Sequence, residues 1–403
     1  MPSSRVPVPA ESAPNRLALL LEAKRNEGRA VLDLTGTNPT RAGLVWPTPT
    51  LLSAIAGDGV ARHDPDPRGP ASARDAVAAY LSSRGQPSHG SPGATIVSSE
   101  RIFLTASTSE GYAHLFRLLC DPGDEVLIPR PCYPLIEPIA RLEDVRAIPY
   151  RLVYDGRWRL DVDSLEASVG PRTRAVVLIQ PGNPTGSCLD AREIGCVEAL
   201  CVANGIAIIS DEVFGDFPWA PQFRTLPSLY GATRAATFTL GGVSKSCGLP
   251  QMKVGWVVAS GPEETVAPLL PGLEWILDLF LSVGAPAAAA LPRFLETREE
   301  FQSAMRARLD RNRRSLRDAA ARSGGRLEPF EGDGGWTAIA RLQVRENGGT
   351  PDARADVAEW ALARHDVHVH PAHFYDLVGD DLAVLSLVTD PATFEEALAR
   401  LVG

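Results

Sequence analysis

A single lysine in a loop of small residues is the strongest candidate for chemistry in this sequence. Lys245 lies between two serines in the segment TFTLGGVSKSCGLPQMKVGW, residues 237–256, with an apolar run on each side. Such runs predict buried strands, so the loop would bring an amine to the edge of a sheet. There, the amine can form a Schiff base with a carbonyl compound, and the small flanking residues leave room for a bulky adduct.

Other polar groups follow the predicted strands before this loop. They comprise three small hydroxyl residues, an aromatic ring, a carboxamide and a carboxylate: Ser107, Thr108, Ser109, Tyr133, Asn183 and Asp211. The hydroxyl run stands between a strand and a helix, where free backbone N–H groups can bind an anion. Because ligands of open α/β sheets bind beyond the carboxyl ends of the strands, we expect these groups and Lys245 to converge on one ligand.

The ligand that suits these groups is anionic, aromatic and open to attack by an amine, and pyridoxal phosphate has all three properties. Its phosphate would bind at the hydroxyl run and its ring would lie against Tyr133. Its pyridine nitrogen needs a carboxylate, here Asp211, to keep a proton so that the ring can take up electrons. Its aldehyde needs a lysine, and Lys245 supplies one. Each residue alone has an ordinary alternative, such as a helix cap for Asp211 or a turn residue for Asn183.

Six motifs resemble, in order and spacing, those of the fold-type I pyridoxal-phosphate enzymes of the class I/II aminotransferase family. The motifs are TNPTRAG (37–43), PDPRG (65–69), LTASTSEGY (104–112), GNPTG (182–186), DEVF (211–214) and SKSCGLPQMKVGW (244–256). The resemblance covers nearly the whole chain beyond its N-terminal arm. Within the family, the sequence is most similar to a bacterial aminotransferase branch with a GLPQMKVGW-like segment.

The resemblance implies roles for the residues in these motifs. Lys245 would form the Schiff base and Asp211 would pair with the pyridine nitrogen, and both would be catalytic. Tyr133 would stack on the ring and Asn183 would donate to the ring hydroxyl. The other cofactor contacts would be Ser107, Thr108, Ser109, Ser244 and Lys253 at the phosphate, together with Phe214 and His63. The substrate contacts would be Thr37, Asn38, His373 and Phe374. The family usually forms homodimers with active sites at the subunit interface.

Four residues of the site depart from the family pattern. Phe214 stands where many members have a tyrosine that donates to the ring hydroxyl, and phenylalanine has no donor. Lys253 replaces the arginine that usually grips the phosphate, so a point charge would replace a bidentate fork. Gly242 replaces a phosphate-contacting serine. His63 either takes the place of a tyrosine that reaches the phosphate of the neighbouring subunit, or is an ordinary loop residue.

The largest departure concerns the substrate carboxylate. The resemblance places its arginine in the strand DLAVLSLV, where this chain has Val384 and no arginine between Arg364 and Arg400. Because a buried carboxylate without a partner is costly, either another residue binds the carboxylate or the substrate is unusual. The sequence leaves both possibilities open.

Transamination is the reaction that the sequence favours: movement of an amino group between an amino acid and a 2-oxo acid, with Lys245 as general base. One alternative is a lyase that performs β- or γ-elimination or replacement in secondary metabolism, for example on a sulfur-substituted amino acid or S-adenosylmethionine. The departures at Phe214 and Val384 motivate this alternative. A non-enzymatic, cofactor-sensing regulator is a third hypothesis, and the short N-terminal arm without a helix-turn-helix pattern disfavours it.

Composition disfavours other classes of function. The 403 residues include 40 lysines and arginines against 49 aspartates and glutamates, a net charge of −9, so nucleic acid is not expected as a partner. No apolar run is long enough to span a membrane, and the N-terminus lacks the apolar core of a signal peptide. The six cysteines form no Cys-x-x-Cys pair, which favours a reduced, cytoplasmic protein.

The histidine-rich segment HDVHVHPAH, residues 365–373, invites a metal hypothesis, because His368 and His370 would share one face of a strand. No cysteine accompanies them at ligand spacing, so we expect no metal there. The segment is instead expected to form a strand and a loop that line the substrate pocket.

The elements that must position these residues follow an α/β pattern. Six short apolar runs alternate with helical stretches: 101–106, 125–129, 175–180, 206–210, 237–240 and 255–259. Most are apolar throughout, which suits strands buried on both faces of a mostly parallel sheet. The resemblance implies an aspartate-aminotransferase-like fold whose sheet has seven strands.

The same pattern predicts how the chain is divided. We expect a flexible arm over 1–16, a large cofactor-binding domain over 45–286, and a smaller α+β domain formed by 17–44 and 287–403. A long charged helix over 291–321 would open the last segment and end at Gly324-Gly325.

Overall fold

The computed structural model describes residues 3–7, 15–84, 97–220, 222, 225–231, 234–343 and 356–403. The strands, in chain order, are β1 Leu32–Asp33, β2 Ile102–Thr105, β3 Glu125–Arg130, β4 Arg146–Tyr154, β5 Trp158–Leu160, β6 Thr173–Ile179, β7 Ala207–Asp211, β8 Thr237–Gly242, β9 Gly255–Ser260, β10 Leu327–Pro329, β11 Thr337–Leu342, β12 Val367–His368, β13 His370–Pro371 and β14 Leu382–Ser386. The α-helices are α1 Arg16–Asn26, α2 Thr48–Ile55, α3 Ala71–Ser83, α4 Thr108–Leu119, α5 Ile136–Leu142, α6 Val162–Ser168, α7 Ala191–Asn204, α8 Val243–Ser246, α9 Glu263–Val266, α10 Leu270–Asp278, α11 Ala285–Glu296, α12 Arg298–Arg322, α13 Val357–His365 and α14 Pro391–Val402. Residues 1–2 and 8–14 of the predicted N-terminal arm lie outside the described residues.

The largest sheet contains eight strands in the order β2-β9-β8-β7-β6-β3-β4-β5. Neighbours from β8 to β4 are parallel, whereas β9 runs antiparallel to both of its neighbours and β5 runs antiparallel to β4. This arrangement confirms the predicted α/β class with a mostly parallel sheet. The strand beyond the expected seven is β5, which has three residues and lies at one edge.

Helices cover both faces of this sheet, which explains why most of its strands are apolar throughout. On one face, Leu115 and Phe116 of α4 pack against strand residues such as Ile209. On the other face, Val197 of α7 packs against Ile208. The six apolar runs that predicted strands correspond to β2, β3, β6, β7, β8 and β9.

A second sheet, with the order β10-β11-β14-β13, is antiparallel and packs against α12 and α14. Met305 and Leu309 of α12 and Leu398 of α14 share one buried cluster with Ala340 and Leu385 of this sheet. β1 and β12 form a separate parallel pair.

The residue boundaries of the large and small domains stay a prediction. Within the described residues, every helix is too short or too polar to cross a bilayer.

The prediction of one helix over 291–321 was wrong, because two helices meet at Thr297. The Thr297 hydroxyl donates to the Arg293 carbonyl at 3.0 Å, and the backbone ψ of Thr297 is 0°, outside the α-helical range. The predicted end of the second helix is correct. α12 stops shortly before Gly324 and Gly325, which have φ values of 61° and 85° that suit a helix C-terminus.

Candidate active site

One edge of the large sheet collects the segments that carry the predicted site. Thr105 at the end of β2 pairs with Gly255 at the start of β9, and Gly242 at the end of β8 pairs with the same glycine. Asp211, the last residue of β7, pairs with Leu240 of β8. The loops after β2 and β8 and the loop before β9 therefore lie side by side, close to Asp211.

Lys245 lies in α8, a short helical turn directly after β8. Its Nζ atom is 5.7 Å from the ring centroid of Phe214 and 5.3 Å from that of Trp336. Burial lowers the pKa of Lys245, and the negative charge of Asp211 opposes this shift. A lowered pKa increases the share of neutral amine, which is the form that attacks a carbonyl group.

Asp211 is held by hydrogen bonds on both of its carboxylate oxygens. Oδ2 accepts a hydrogen bond from the Tyr112 hydroxyl at 3.0 Å, and Oδ1 accepts one from the Val213 amide at 3.2 Å. Burial raises the pKa of Asp211, whereas these hydrogen bonds and the charge of Lys245 favour the ionised form. Each oxygen can accept a further hydrogen bond, so the carboxylate can bind a protonated ring nitrogen.

The acid that follows Asp211 turns to the other face of the sheet. Glu212 accepts hydrogen bonds from the Ser210 hydroxyl at 3.0 Å and from the Leu229 amide at 2.7 Å, and the Ser228 hydroxyl also donates to it. Successive residues along a strand point to opposite faces. Of the two acids in the DEVF motif, Asp211 is therefore the one that reaches the site.

The hydroxyl run forms the start of α4. Ser107 is the N-cap residue, and its hydroxyl accepts a hydrogen bond from the Glu110 amide at 3.2 Å. Thr108 and Ser109 begin the first turn, where backbone N–H groups lack helical partners and can bind a phosphate. Gly255 passes so close that a Cβ atom there would lie 3.1 Å from the Ser107 carbonyl carbon. Ser107, Thr108 and Ser109, the candidate phosphate cradle, therefore lie directly against the start of β9.

Lys253 precedes that contact by two residues and has a positive φ of 54°. Its side chain is exposed, and Ser244 is half-buried beside Lys245 in α8. Strand pairing therefore brings the main chain of Lys253 close to the cradle, and a contact of its side chain with phosphate stays a prediction.

We expect a Lys253→Gln variant to bind pyridoxal phosphate about tenfold more weakly than the wild type, because it removes one positive charge that solvent partly screens. Equilibrium dialysis of the cofactor against purified protein measures this change. Lys253→Arg keeps the charge and is the matched control, with an expected affinity within about threefold of wild type. A Lys253→Gln variant with wild-type affinity would rule out the phosphate contact.

Asn183, in the loop after β6, contacts the second sheet. The Thr337 hydroxyl of β11 lies 3.4 Å from Asn183 Oδ1 and donates to the Pro184 carbonyl at 3.3 Å. With its oxygen turned to Thr337, the Asn183 carboxamide can still donate through its nitrogen.

Tyr133 is 42% exposed, and its ring centroid lies 6.3 Å from that of Tyr375. The exposed part of the Tyr133 ring is available to a flat ligand.

Two of the departures noted in the sequence are apolar positions in the structure. Phe214 is buried, with its ring centroid 5.4 Å from that of Trp336. Val384 is 1% exposed and shares an apolar cluster with Ile339 and Tyr375. A substrate carboxylate directed at Val384 would meet no positive charge from these two neighbours.

The remaining predicted residues are Thr37, Asn38, His63, His373 and Phe374. Asn38 accepts a hydrogen bond from the Thr40 amide at 3.0 Å, which caps a short turn. The His373 Nδ1 atom lies 2.9 Å from Asp356 Oδ2, and most of the imidazole is exposed. Thr37 is half-buried, and His63 and Phe374 are exposed. Contacts of these residues with a cofactor or substrate stay predictions.

The histidine-rich segment is divided between two sheets, because β12 pairs with β1 and β13 pairs with β14. The expectation that His368 and His370 share a strand face was therefore wrong. The His368 Nδ1 atom lies 3.4 Å from Asp33 Oδ1, and the His370 Nδ1 atom lies 2.7 Å from the Tyr375 hydroxyl. In the part of the chain that the structure describes, no three metal-binding side chains form a cluster.

The sequence alone does not single out Tyr112, the last residue of the LTASTSEGY motif. Its spacing is the available signal, because a residue four positions after Thr108 lies on the same helix face as the first turn. A buried tyrosine also needs a partner for its hydroxyl. The structure identifies that partner as Asp211.

The residues present fit pyridoxal phosphate. Lys245 offers an amine with a lowered pKa, and Asp211 offers a carboxylate fixed on both oxygens. Tyr133 offers an exposed ring, and the start of α4 offers free N–H groups beside small hydroxyls. These groups match the aldehyde, ring nitrogen, ring face and phosphate of the cofactor.

Comparisons with known proteins point to the same chemistry. The family model described as aminotransferase class I and II matches residues 36–401. Glutamate-pyruvate aminotransferase AlaA of Escherichia coli (strain K12) is 29% identical over 276 residues, which cover 68% of this chain and 66% of the relative. The chain therefore aligns with just under two thirds of the length of that relative.

Two further proteins extend the comparison. The S-alkyl-thiohydroximate lyase SUR1 of Arabidopsis thaliana is 32% identical over 232 residues, which cover 56% of this chain and 47% of the relative. Among solved structures, N-succinyldiaminopimelate aminotransferase from Mycobacterium tuberculosis is similar with a TM-score of 0.78 and 25% identity, and the match covers 100% of this chain and 99% of that one.

Proposed function

Since this chain belongs to the family of class I and II aminotransferases, we propose that it moves an amino group between an amino acid and a 2-oxo acid. The cofactor is pyridoxal phosphate, which members of this family use. The observation that carries the proposal is the placement of Lys245 and Asp211 at one sheet edge, near enough for the charge of each to affect the other.

Each residue of the site has its own task in this reaction. Lys245 holds the cofactor through Nζ and, once the incoming amino group frees it, moves a proton away from the substrate α-carbon. Asp211 keeps a proton on the ring nitrogen. Asn183 and Tyr133 orient the ring, and the start of α4 binds the phosphate. When bound, the cofactor supplies an electron sink for the negative charge left on the α-carbon.

The transfer of a nitrogen-labelled amino group tests this proposal. Purified protein loaded with pyridoxal phosphate is incubated with one labelled amino acid at a time and a panel of 2-oxo acids. Mass spectrometry is expected to find the label in a new amino acid. Absence of transfer from every donor, despite bound cofactor, would count against an aminotransferase.

A lyase is the second candidate, and the apolar surroundings of Val384 favour it. Val384 in place of the usual arginine indicates that the substrate is held by other contacts. Elimination and replacement begin with the same removal of the α-proton as transamination, and one relative is itself a lyase. The same protein is therefore incubated with sulfur-substituted amino acids and S-adenosylmethionine. Release of the sulfur group, without amino transfer to any 2-oxo acid, would replace the first proposal by the second.

The protein acts as a homodimer through an apolar surface at the end of α10. The exposed side chains of this α10 surface are Trp275, Leu279, Phe280 and Leu281. Trp275 is 65% exposed, and clustered exposure of large apolar residues is typical of protein–protein interfaces. The Phe280 ring centroid lies 5.2 Å from that of His114 in α4, and Ser282 donates to Glu110 at 2.7 Å. The α10 surface therefore adjoins the helix that begins at the phosphate cradle.

A Leu279→Glu variant is expected to be monomeric at concentrations where the wild type is dimeric, because burying an unpaired charge in an apolar interface is costly. Size-exclusion chromatography with light scattering measures the assembly. Val202→Glu is the matched control, since Val202 is an exposed apolar residue of α7 away from the α10 surface. A monomeric wild type, or a dimeric Leu279→Glu variant, would exclude this interface.

The proposed location is the cytoplasm. Its support comes from the cysteines, all of which are free thiols: Cys120, Cys132, Cys188, Cys196, Cys201 and Cys247. Free thiols persist in reducing compartments, where small amino acids and 2-oxo acids are also available as substrates.

A further inference from the structure

A tyrosine on the helix that begins at the phosphate cradle reaches the acid at the ring nitrogen. Tyr112 is 1% exposed, and its hydroxyl donates to Asp211 Oδ2 at 3.0 Å. Its ring belongs to the same buried cluster as Ile209 of β7 and Phe238 of β8, next to the strand ends of the site.

We propose that Tyr112 is a positioning residue, which keeps the Asp211 carboxylate ionised and oriented so that the proton stays on the ring nitrogen of pyridoxal phosphate. This inference rests on the proposed function and deepens it, because it adds a residue to the reaction that does not touch the substrate. The resemblance to the family gives the motif that contains Tyr112 a role at the phosphate only.

The tyrosine is the donor in this contact. Burial raises the pKa of Tyr112 well above its usual value, so its phenol stays protonated at physiological pH. An ionised carboxylate has no hydrogen to donate, so the shared hydrogen comes from the tyrosine. The contact therefore stabilises ionised Asp211, in opposition to the burial that raises the pKa of this carboxyl group.

The position of one proton then determines how strongly the ring withdraws electrons. Between a carboxylate and a ring nitrogen, the proton can lie on either partner. A hydrogen bond donated to Asp211 makes the carboxylate a weaker base and leaves the proton on nitrogen. The Val213 backbone amide donates to the other oxygen of Asp211. Of the two donors, the Tyr112 hydroxyl is the one that a substitution can remove without altering the backbone.

One helix carries both contacts. Ser107, Thr108 and Ser109 form the cap and first turn of α4, and Tyr112 lies about one turn further along. Because both contacts come from one helix, α4 fixes the Asp211 carboxylate relative to the phosphate cradle. Side chains that a rigid helix holds in this way move little, so the geometry needed for catalysis is kept.

A Tyr112→Phe variant removes the hydroxyl and keeps the ring. We expect its maximal rate of amino transfer to fall about 10- to 100-fold, the range of a hydrogen bond to a charged group, with KM for the amino donor within about threefold. The affinity for pyridoxal phosphate should fall about tenfold. Tyr230→Phe is the matched control, because it removes a buried hydroxyl that donates to the Leu81 carbonyl at 2.7 Å, and it should leave both quantities unchanged.

An analogue of the cofactor separates positioning from packing. In deaza-pyridoxal phosphate a carbon atom replaces the ring nitrogen, so Asp211 has no ring proton to hold. If Tyr112 acts through that proton, Tyr112→Phe and wild type bind the analogue equally. Equal losses of affinity for the cofactor and the analogue would show that Tyr112 only packs, and would overturn the inference. In an Asp211→Asn background, adding Tyr112→Phe should change the rate no further.

The outcomes distinguish this inference from the proposed function. If the wild type fails to bind pyridoxal phosphate, the proposed function is wrong and the inference is wrong with it. If the wild type binds the cofactor and transfers amino groups, but Tyr112→Phe matches it in rate and affinity, the inference alone is wrong.

Discussion

A Lys245→Ala variant is expected to lose amino transfer by at least about 10³-fold, because its Nζ atom both attaches the cofactor and carries the proton. The chain contains two other lysines, Lys24 and Lys253. Lys24 pairs with Asp366, the residue before β12, and Lys253 is exposed. Neither can replace an amine that burial holds at a lowered pKa beside Asp211.

Two measurements check this expectation. Initial rates of label transfer report the loss of activity, and borohydride reduction followed by peptide mass spectrometry reports where the cofactor is attached. In the wild type, the reduced cofactor should be found on Lys245. Lys245→Arg keeps a positive charge without forming the attachment, and it should be as inactive as Lys245→Ala. Cofactor found on Lys253, or activity retained by either folded variant, would remove Lys245 from the mechanism.

An Asp211→Asn variant is expected to lower the maximal rate by about 10²- to 10³-fold, a loss similar to that of one charge-stabilising group in an active site. Asparagine has nearly the same size, and its oxygen can still accept a hydrogen bond from Tyr112 or Val213. It carries no negative charge, so it cannot keep a proton on the ring nitrogen. The loss should therefore appear in kcat, with a smaller change in KM.

An exposed aspartate provides the control for this change. Asp163 lies in the first turn of α6, and Asp163→Asn removes a charge of the same kind from the surface. Its kcat should stay within about twofold of wild type, since surface substitutions of this type have small effects. An Asp211→Asn variant with the same rate would mean that the ring nitrogen needs no acid in this protein.

The sequence predicted six of the eight strands of the large sheet and missed the two at one edge, β4 and β5. Strands buried on both faces are apolar runs, and β2, β3 and β6–β9 were identified for that reason. β4 contains Arg146, Pro149 and Arg151 and leaves many residues exposed, so no apolar run revealed it. The break between α11 and α12 depends on the backbone of one residue, Thr297, and a helical charge pattern continues across it.

The site was predictable where its residues follow strands, and not where contacts join distant elements. Because Lys245 and Asp211 both follow predicted strands, the sequence predicts that they lie at one edge of the sheet. The contact between Thr337 and Asn183 joins residues 154 positions apart, which no local pattern reports. The contact of Tyr112 with Asp211 could not be predicted either, because an aromatic residue on a buried helix face is most often part of the core.

Asp211 ends β7 and Glu212 directly follows it, so the length of this strand decides which acid faces the site. Asp211 serves the site, and Glu212 is bound by Ser210, Ser228 and Leu229 behind the sheet. Deleting one residue from β7 would move Glu212 to the position of Asp211 and turn Asp211 to the face where Ser228 and Leu229 lie. Inserting one residue would turn Asp211 to that face and leave Ser210 at the site. The apolar residues of this strand can therefore be exchanged for other apolar residues. A change of one residue in the length of the strand would abolish activity even in a protein that still folds.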